Sequence, residues 1–377
     1  MKIGYDAKRI VRNGTGLGNY GRTLVNDLAK HEGIDLHLYA PDEGRADLRT
    51  QVLPGVNWHF ARSKLGLYSG QTPALWRTWG IVKDLRRDGI QLYHGLSGEL
   101  PIGIRKSGIR SVVTIHDLIF LRHPEYYHWI DTKIYTWKFR QTLREADHII
   151  AISQCTRRDI IELGHVDPAR ISLIYQSCAP RFTQGGRNDV QSDCTSFLTP
   201  CVKRYILSVG SIEERKNVLL AVKALHWLPE DVGLIVVGRP TKYTDVVRRY
   251  IEDNGLTPRV SILHGITDEE LPALYAGAEA FVYPSRYEGF GIPIIEAINC
   301  GLPVVACTGS CLEEAGGPDS LYVDPDDAEA MAAAIRRVLR GANGREQRIV
   351  KSQEYIRRFE GRDVASQVIG LYESLLG

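Results

Sequence analysis

The stretch "AEAFVYPSRYEGFGIPIIEAINCGLPVVAC", Ala278–Cys307, carries the pattern that decides the fold. It opens on an apolar strand, "AEAFVYPS", and closes on another, "LPVVAC". Between them, Gly289 and Gly291 permit a tight turn and a close backbone approach to a ligand. Pro293 then suits the first turn of a helix, and Gly301 its termination. Strand, helix and strand in succession form the repeating unit of a parallel sheet covered by helices.

The same alternation extends outward. "YILSVG" (Tyr205–Gly210), "GLIVVG" (Gly233–Gly238) and "RVSILHG" (Arg259–Gly265) read as strands, with "NVLLAVKALHWL" (Asn217–Leu228) as a helix. Nearer the N-terminus, "KIGYD" (Lys2–Asp6), "DLHLYA" (Asp35–Ala40), "QLYHG" (Gln91–Gly95), "RSVVTIHD" (Arg110–Asp117) and "HIIAIS" (His148–Ser153) repeat the pattern. "NYGRTLVNDLAK" (Asn19–Lys30) reads as an amphipathic helix. The polar, aperiodic run Pro180–Lys203 interrupts the alternation and marks a domain boundary. The expected organisation is α/β: a doubly wound domain over 1–183, a linker over 184–203, a second doubly wound domain over 204–354, and a helical tail over 355–377. A chain of 377 residues accommodates two such domains. Ligands of open parallel sheets bind beyond the carboxyl ends of the strands. Two such domains facing each other would enclose a cleft for a small molecule.

Composition narrows the partners. A net charge of +2 leaves no nucleic-acid footprint. The halves differ: residues 1–180 carry 25 Lys and Arg against 18 Asp and Glu, and residues 181–377 carry 22 against 27. A basic front half is compatible with peripheral contact to an anionic membrane, and equally with an ordinary solvated face. "MKIGYDAKRI" reads as a first strand, not a leader, and no apolar run is long enough to span a bilayer. The seven scattered cysteines lack a histidine at ligand spacing and read as reduced thiols of a cytoplasmic protein.

Polar residues cluster just after the strands. Glu296, placed by this reading in the first helical turn after Pro293, can accept both hydroxyls of a ribose diol; alone, it would equally complement the helix dipole. Glu288, across the glycine turn, can accept hydroxyls of a second polyol. "SVGSIEERKN" (Ser208–Asn217) sets Arg215 and Lys216 at a helix entrance, where two cations can neutralise a diphosphate. A surface pair of Arg215 with Glu213 or Glu214 stays open. His116 and Asp117 close the strand "VVTIHD", where the histidine can orient a sugar hydroxyl or polarise a reacting centre. "NGTGLGNYG" (Asn13–Gly21) contains a literal G-x-G-x-x-G at Gly16, Gly18 and Gly21, with Asp42 after the second strand. The first glycine stands too far beyond Asp6 for a dinucleotide fingerprint, so a glycine loop lending N–H groups to an anion or sugar fits better. The aromatic runs Leu67–Gly80 and His123–Phe139 read as core or as a partly exposed amphipathic face, with an acceptor groove as the alternative.

Taken together, the motif Glu288–Glu296, "GSIEERKN", "TGLGNYGRTL", "TIHDLIF", "ADHIIAISQCTRRDII" and "SLYVDPDD" resemble glycosyltransferase family 4, a retaining group with the GT-B fold of two Rossmann-like domains. The resemblance is strongest to mannosyltransferase-like members acting in cell-surface polysaccharide or lipopolysaccharide assembly. It implies that Glu288 contacts the donor sugar and Glu296 the ribose. Phe290 and Gly291 would offer backbone groups to the sugar, and Ile295 an N–H to the phosphate. Arg215 and Lys216 would hold the diphosphate, His116 would lie beside the transferred sugar, and Gly16 near the donor. A helix over Tyr355–Leu376 would cross back onto the first domain. Two departures stand out: "SCLEEAGG" (Ser310–Gly317) replaces a Ser-Leu-Pro-Glu-Val run, and Ser211 replaces an arginine found in some relatives.

The resulting expectation is a hexosyltransferase without metal or cofactor. Its donor is a nucleotide-diphosphate sugar, GDP-mannose before a UDP-hexose, and its acceptor a glycan or polyprenyl-linked glycan. Neither domain shows an Asp-x-Asp metal signature after a strand, so Arg215, Lys216 and helix N–H groups must carry the phosphate charge. A nicotinamide-dependent oxidoreductase, resting on the glycine loop and Asp42, and a non-catalytic nucleotide-sugar sensor are the alternatives.

Overall fold

The computed structural model describes residues 1–61, 73–182 and 202–377. Most of the expected linker, the front of the aromatic run from Leu67, and Cys194 and Cys201 lie outside the described residues. The chain divides into two compact units, Met1–Ser177 with Phe359–Gly377, and Cys178–Arg358.

The first unit is built on seven parallel strands: β1 Lys2–Asp6, β2 Asp35–Ala40, β3 Asn57–Phe60, β4 Leu92–Gly95, β5 Arg110–Ile115, β6 His148–Ala151 and β7 Ile171–Leu173. Their order is β3-β2-β1-β4-β5-β6-β7. Alternate residues feed two cores, one on each face of the sheet. Val112 joins Ile3, Tyr5, Leu36 and Leu38 on one face, while Val113 and Ile115 join Tyr39, Tyr93 and Ile149 on the other. Order reverses between β1 and β4, the kind of switch point that opens a crevice at the strands' carboxyl ends. There Asp6 accepts hydrogen bonds from Arg77, which also pairs with Glu99. Burial opposes the Asp6 charge, but Arg77 holds its carboxyl below the usual range.

The glycine stretch is helical from Gly16 onward, and only Asn13–Thr15 form a loop. A short helix, Lys8–Arg12, follows β1, and a second helix runs from Gly16 to Leu28, three residues ahead of its expected start at Asn19. Gly18 and Gly21 let these helices pack: a Cβ at Gly18 would lie 1.7 Å from the Asn13 carbonyl oxygen, and one at Gly21 would lie 2.8 Å from Ile10. The spacing of Gly18 and Gly21 thus reflects helix contact.

The second unit has six parallel strands: β8 Arg204–Val209, β9 Val232–Val237, β10 Val260–Leu263, β11 Ala280–Tyr283, β12 Val304–Cys307 and β13 Leu321–Val323. Their order, β10-β9-β8-β11-β12-β13, reverses between β8 and β11. The loops that leave these two strands, Gly210–Asn217 and Pro284–Gly291, therefore start side by side, and the Arg286 N–H donates to the Arg215 carbonyl at 2.9 Å.

The expected helix from Tyr355 to Leu376 is two helices. Arg345–Ile356 ends in a 3-10 turn, Arg357–Phe359, and a new helix, Gly361–Leu376, begins after extended Glu360. Phe359 anchors the break, buried and edge-on to Tyr175. The last helix then buries Val364, Ala365, Val368 and Tyr372 in the first unit's core beside Leu24, Val25 and Leu28.

Candidate active site

At the second unit's switch point, three of the sequence-derived residues converge. The Glu288 carboxylate lies 2.6 Å from Lys216 Nζ through Oε1 and 3.0 Å from Arg215 Nη1 through Oε2. Tyr283, at the end of β11, links the pair: Lys216 donates to its hydroxyl at 2.8 Å, and that hydroxyl donates to Glu288 at 3.3 Å. Glu213 stands farther from Arg215, at 3.8 Å, so the surface pairing left open by the sequence is secondary. Backbone geometry fixes the cations. Arg215 and Lys216 lie in the 3-10 turn Glu214–Lys216, closed by Asn217 in the left-handed region. The Asn217 side chain donates to the Pro325 carbonyl.

Electrostatics follow from burial and pairing. Glu288 is 8% exposed. Desolvation disfavours its charge, but Lys216 and then Arg215 outweigh it and hold the carboxyl down at about 2. Burial likewise works against the Lys216 ammonium, yet Glu288 keeps it charged well beyond the ordinary lysine range. The cluster therefore carries two positive charges against one negative.

Glu296 has a different partner and a different turn. Its helix runs Ile292–Asn299 behind Gly291, whose φ of +120° favours glycine, so Glu296 falls in the second turn, not the first. The Tyr275 hydroxyl donates to its Oε2 at 3.0 Å. Burial dominates here, offset only in part by the Tyr275 hydrogen bond and the Arg181 charge, and pushes the carboxyl up to about 7. Phe290, Gly291 and Ile295 are all buried along this turn and helix.

Behind the turn sits a residue the sequence reading passed over. Cys311 Sγ lies 3.1 Å from the Glu288 carbonyl oxygen and 2.8 Å from that of Phe290. Cys311 belongs to the run that departs from the family pattern, and no local signal distinguishes this thiol from a core cysteine. Tyr283 and Tyr275 were also missed; each looks like an ordinary strand or helix aromatic until its partner is known.

One further correction concerns acids after strands. Asp324-Pro325-Asp326 does follow β13, a strand the sequence reading did not recognise. Asp326 pairs with Arg286, and Asp324 accepts the Asp326 N–H. Among the described residues no group of three or more His, Cys, Asp or Glu is arranged to hold a metal ion.

His116 and Gly16 belong to the first unit. His116 follows β5, and its Nε2 lies 2.8 Å from the Leu96 carbonyl, so that nitrogen carries the proton and donates. Nδ1 then accepts from the Gln176 amide at 2.7 Å. Burial holds the imidazole down at about 4, and the ring stays neutral. Both nitrogens are engaged within the protein, so the ring is a held, neutral dipole rather than an acid-base pair. His116 lines a cavity of about 270 Å³ together with Asp117, Tyr135 and Leu17, the residue after Gly16. Gly16 itself is exposed at the first position of its helix, and a Cβ there would meet nothing within 4 Å. Asp42, needed by the oxidoreductase reading, is paired with Arg12, and the helix Lys8–Arg12 separates β1 from Gly16. Neither feature makes a dinucleotide crevice.

Comparison with known proteins agrees with this architecture. Family models described as "Glycosyltransferase Family 4" and "Glycosyl transferases group 1" match residues 14–177 and 197–355. The chain is 30% identical to O-antigen chain mannosyltransferase B of Escherichia coli, with both chains covered in full. It is 28% identical over 60% of each chain to O-antigen chain mannosyltransferase RfbU of Salmonella typhimurium. Among solved structures, sucrose-phosphate synthase from Thermosynechococcus elongatus matches with a TM-score of 0.76 at 22% identity, covering 100% of this chain and 99% of the other. That last likeness is one of fold, the GT-B type. With a full-length relative and a family model on each unit, the chain belongs to glycosyltransferase family 4.

Proposed function

We propose that this glycosyltransferase is a retaining, metal-independent hexosyltransferase. It moves mannose from GDP-mannose to a glycan or polyprenyl-linked glycan in O-antigen-type lipopolysaccharide assembly. The single observation that carries the reading is the buried Lys216–Glu288–Arg215 cluster at the β8/β11 switch point. Two cations fixed on a turn suit a diphosphate, and a carboxylate between them suits the hydroxyls of the sugar attached to it. The mannose assignment is supported by the printed activities of the relatives.

In this mechanism Arg215 and Lys216 stabilise charge that grows on the departing diphosphate. The bond from the anomeric carbon to the phosphate oxygen breaks, and its electron pair leaves with the nucleoside diphosphate. The acceptor oxygen bonds to that carbon on the same face, and its proton passes to the departing phosphate oxygen. Glu288 positions the sugar and Glu296 the ribose. Backbone groups of Phe290 and Gly291 face the sugar, and the Ile295 N–H the phosphate. His116, its two nitrogens held by Leu96 and Gln176, lies beside the transferred sugar as a fixed neutral ring, and Gly16 lies near it; the cations do what a metal would do elsewhere.

A thermal-shift screen against GDP- and UDP-sugars tests the donor, because a ligand bound only by the native state raises apparent stability. Transfer to a mannose-bearing acceptor, followed by NMR of the product anomer, tests the stereochemistry. An inverted product removes the mechanism; a preference for UDP-glucose redirects the donor assignment. Unchanged turnover in both Lys216→Ala and Glu288→Ala would remove the basis of the whole reading.

A further inference from the structure

The helix Trp129–Glu145 of the first unit leaves large apolar side chains in water: Trp129 is 63% exposed, Trp137 53%, and Ile130 and Ile134 46% each. At 100° per residue these four fall within an outward arc of about 140°, and the same arc holds Lys133, Arg140, Arg144 and Gln141. It holds no carboxylate. Phe139 and Thr142 lie on the opposite side, buried, so the polar-out rule of a surface helix is inverted along this face. Lys133 places its ammonium 5.2 Å from the Trp129 ring centre. Arg105 donates to the Arg144 carbonyl, which brings it and exposed Lys106 to the helix's C-terminal end. Trp79, 48% exposed, stands on a neighbouring element whose Thr78 lines the same small cavity as Trp137 and Gln141.

We infer that this face docks on the surface of an anionic lipid bilayer. Tryptophan is favoured at the boundary between headgroups and acyl chains, because its ring is apolar and its N–H polar. Lysine and arginine lay their stems along such a boundary and keep their charge at the headgroups. Three cations interleaved with tryptophan and isoleucine in an arc without an acid, and Arg105 and Lys106 at the helix's end, match a negative surface; no helix among the described residues is long and apolar enough to cross it. A second copy of the chain fits poorly, since a two-fold contact would press this cationic face against itself. The inference does not depend on the donor or on the mechanism above.

The test uses the full chain with vesicles of phosphatidylglycerol and phosphatidylethanolamine, and with vesicles of phosphatidylcholine alone. Co-sedimentation and a blue shift of tryptophan fluorescence are expected with the first, and binding about tenfold weaker with the second. Trp129→Ser with Trp137→Ser, and separately Lys133→Glu with Arg140→Glu, should each lower anionic-vesicle binding at least about tenfold. All four positions are exposed, so thermal melts and donor binding should be unchanged. Absence of binding to anionic vesicles, equal binding to both compositions, or undiminished binding by either double variant overturns the inference. A concentration-dependent dimer that Trp129→Ser with Trp137→Ser abolishes also overturns it, in favour of a self-association surface.

Discussion

Donor affinity should depend on pH through Glu296. Burial beside Tyr275 pushes its carboxyl up to about 7. In the proposed role it accepts two ribose hydroxyls, which an ionised carboxylate does and a protonated one does poorly. The ionised fraction is about one tenth at pH 6 and about nine tenths at pH 8. Affinity for a nucleotide-diphosphate sugar should therefore rise about tenfold across that interval, about 1.4 kcal/mol. Other candidates for the titration are excluded by their environments. His116 and His94 are held by burial at about 4 and about 3, and Glu288 is held at about 2. Glu296→Gln keeps an acceptor for Tyr275 but cannot ionise, so its affinity should be lower at pH 8 and nearly flat with pH. Folding stability supplies a second readout of the same group. A carboxyl raised from its ordinary 4.5 favours the folded state at low pH. That contribution is complete below about pH 4.5 and is lost as pH rises toward 7, amounting to about 2.5 kcal/mol between pH 5 and 8. Isothermal titration with the donor, and unfolding curves for both proteins, would measure the two effects. Parallel pH profiles for wild type and Glu296→Gln would refute the reasoning.

Four other outcomes are expected. Lys216→Met should cost about 3 kcal/mol in urea unfolding, because Glu288 loses its nearer cation, and should lower donor turnover at least about a hundredfold. Glu288→Gln should bind nucleoside diphosphate more tightly than wild type while transferring sugar at least about a hundredfold more slowly; weaker diphosphate binding would show that Glu288 does not compete for the cations. Cys311→Ala should cost about 1 kcal/mol and raise the donor KM, with Cys311→Ser restoring both, as read from unfolding and initial rates. Gly18→Ala should unfold the first unit's helix pair at markedly lower temperature, whereas Gly16→Ala should leave the melt unchanged, so any transfer lost in Gly16→Ala reports contact with substrate.

The central strands were legible because each is an apolar run flanked by loop residues. Those missed, β3, β7 and β13, are only three or four residues long and end their sheets. A strand paired on one side needs no long apolar run, and "NWHF", "ISL" and "LYV" leave little period to read. The helix Gly16–Leu28 starts before the sequence suggests because glycine is ordinarily a loop signal, while Gly18 and Gly21 are there to let Asn13 and Ile10 come close. Glu296 was placed one turn early, since Pro293 marks the helix start without counting residues from it. His116 was found by its place after β5, but its two hydrogen bonds, to Leu96 and Gln176, come from distant segments that no local pattern reveals.

The Glu288–Lys216 contact joins residues that sequence reasoning had assigned to separate tasks, one to sugar and one to phosphate. Their meeting follows from topology: β8 and β11 are adjacent only because strand order reverses there, which brings loops 72 residues apart onto one crevice. In the ligand-free protein the carboxylate neutralises part of the cationic charge and keeps both side chains ordered. A diphosphate arriving at the proposed site must then compete with Glu288 for Lys216 and Arg215. The carboxylate it displaces becomes available to the hydroxyls of the attached sugar. A free nucleoside diphosphate brings no sugar to compensate Glu288 for its lost partners, so the same cluster would favour the intact donor over the spent one.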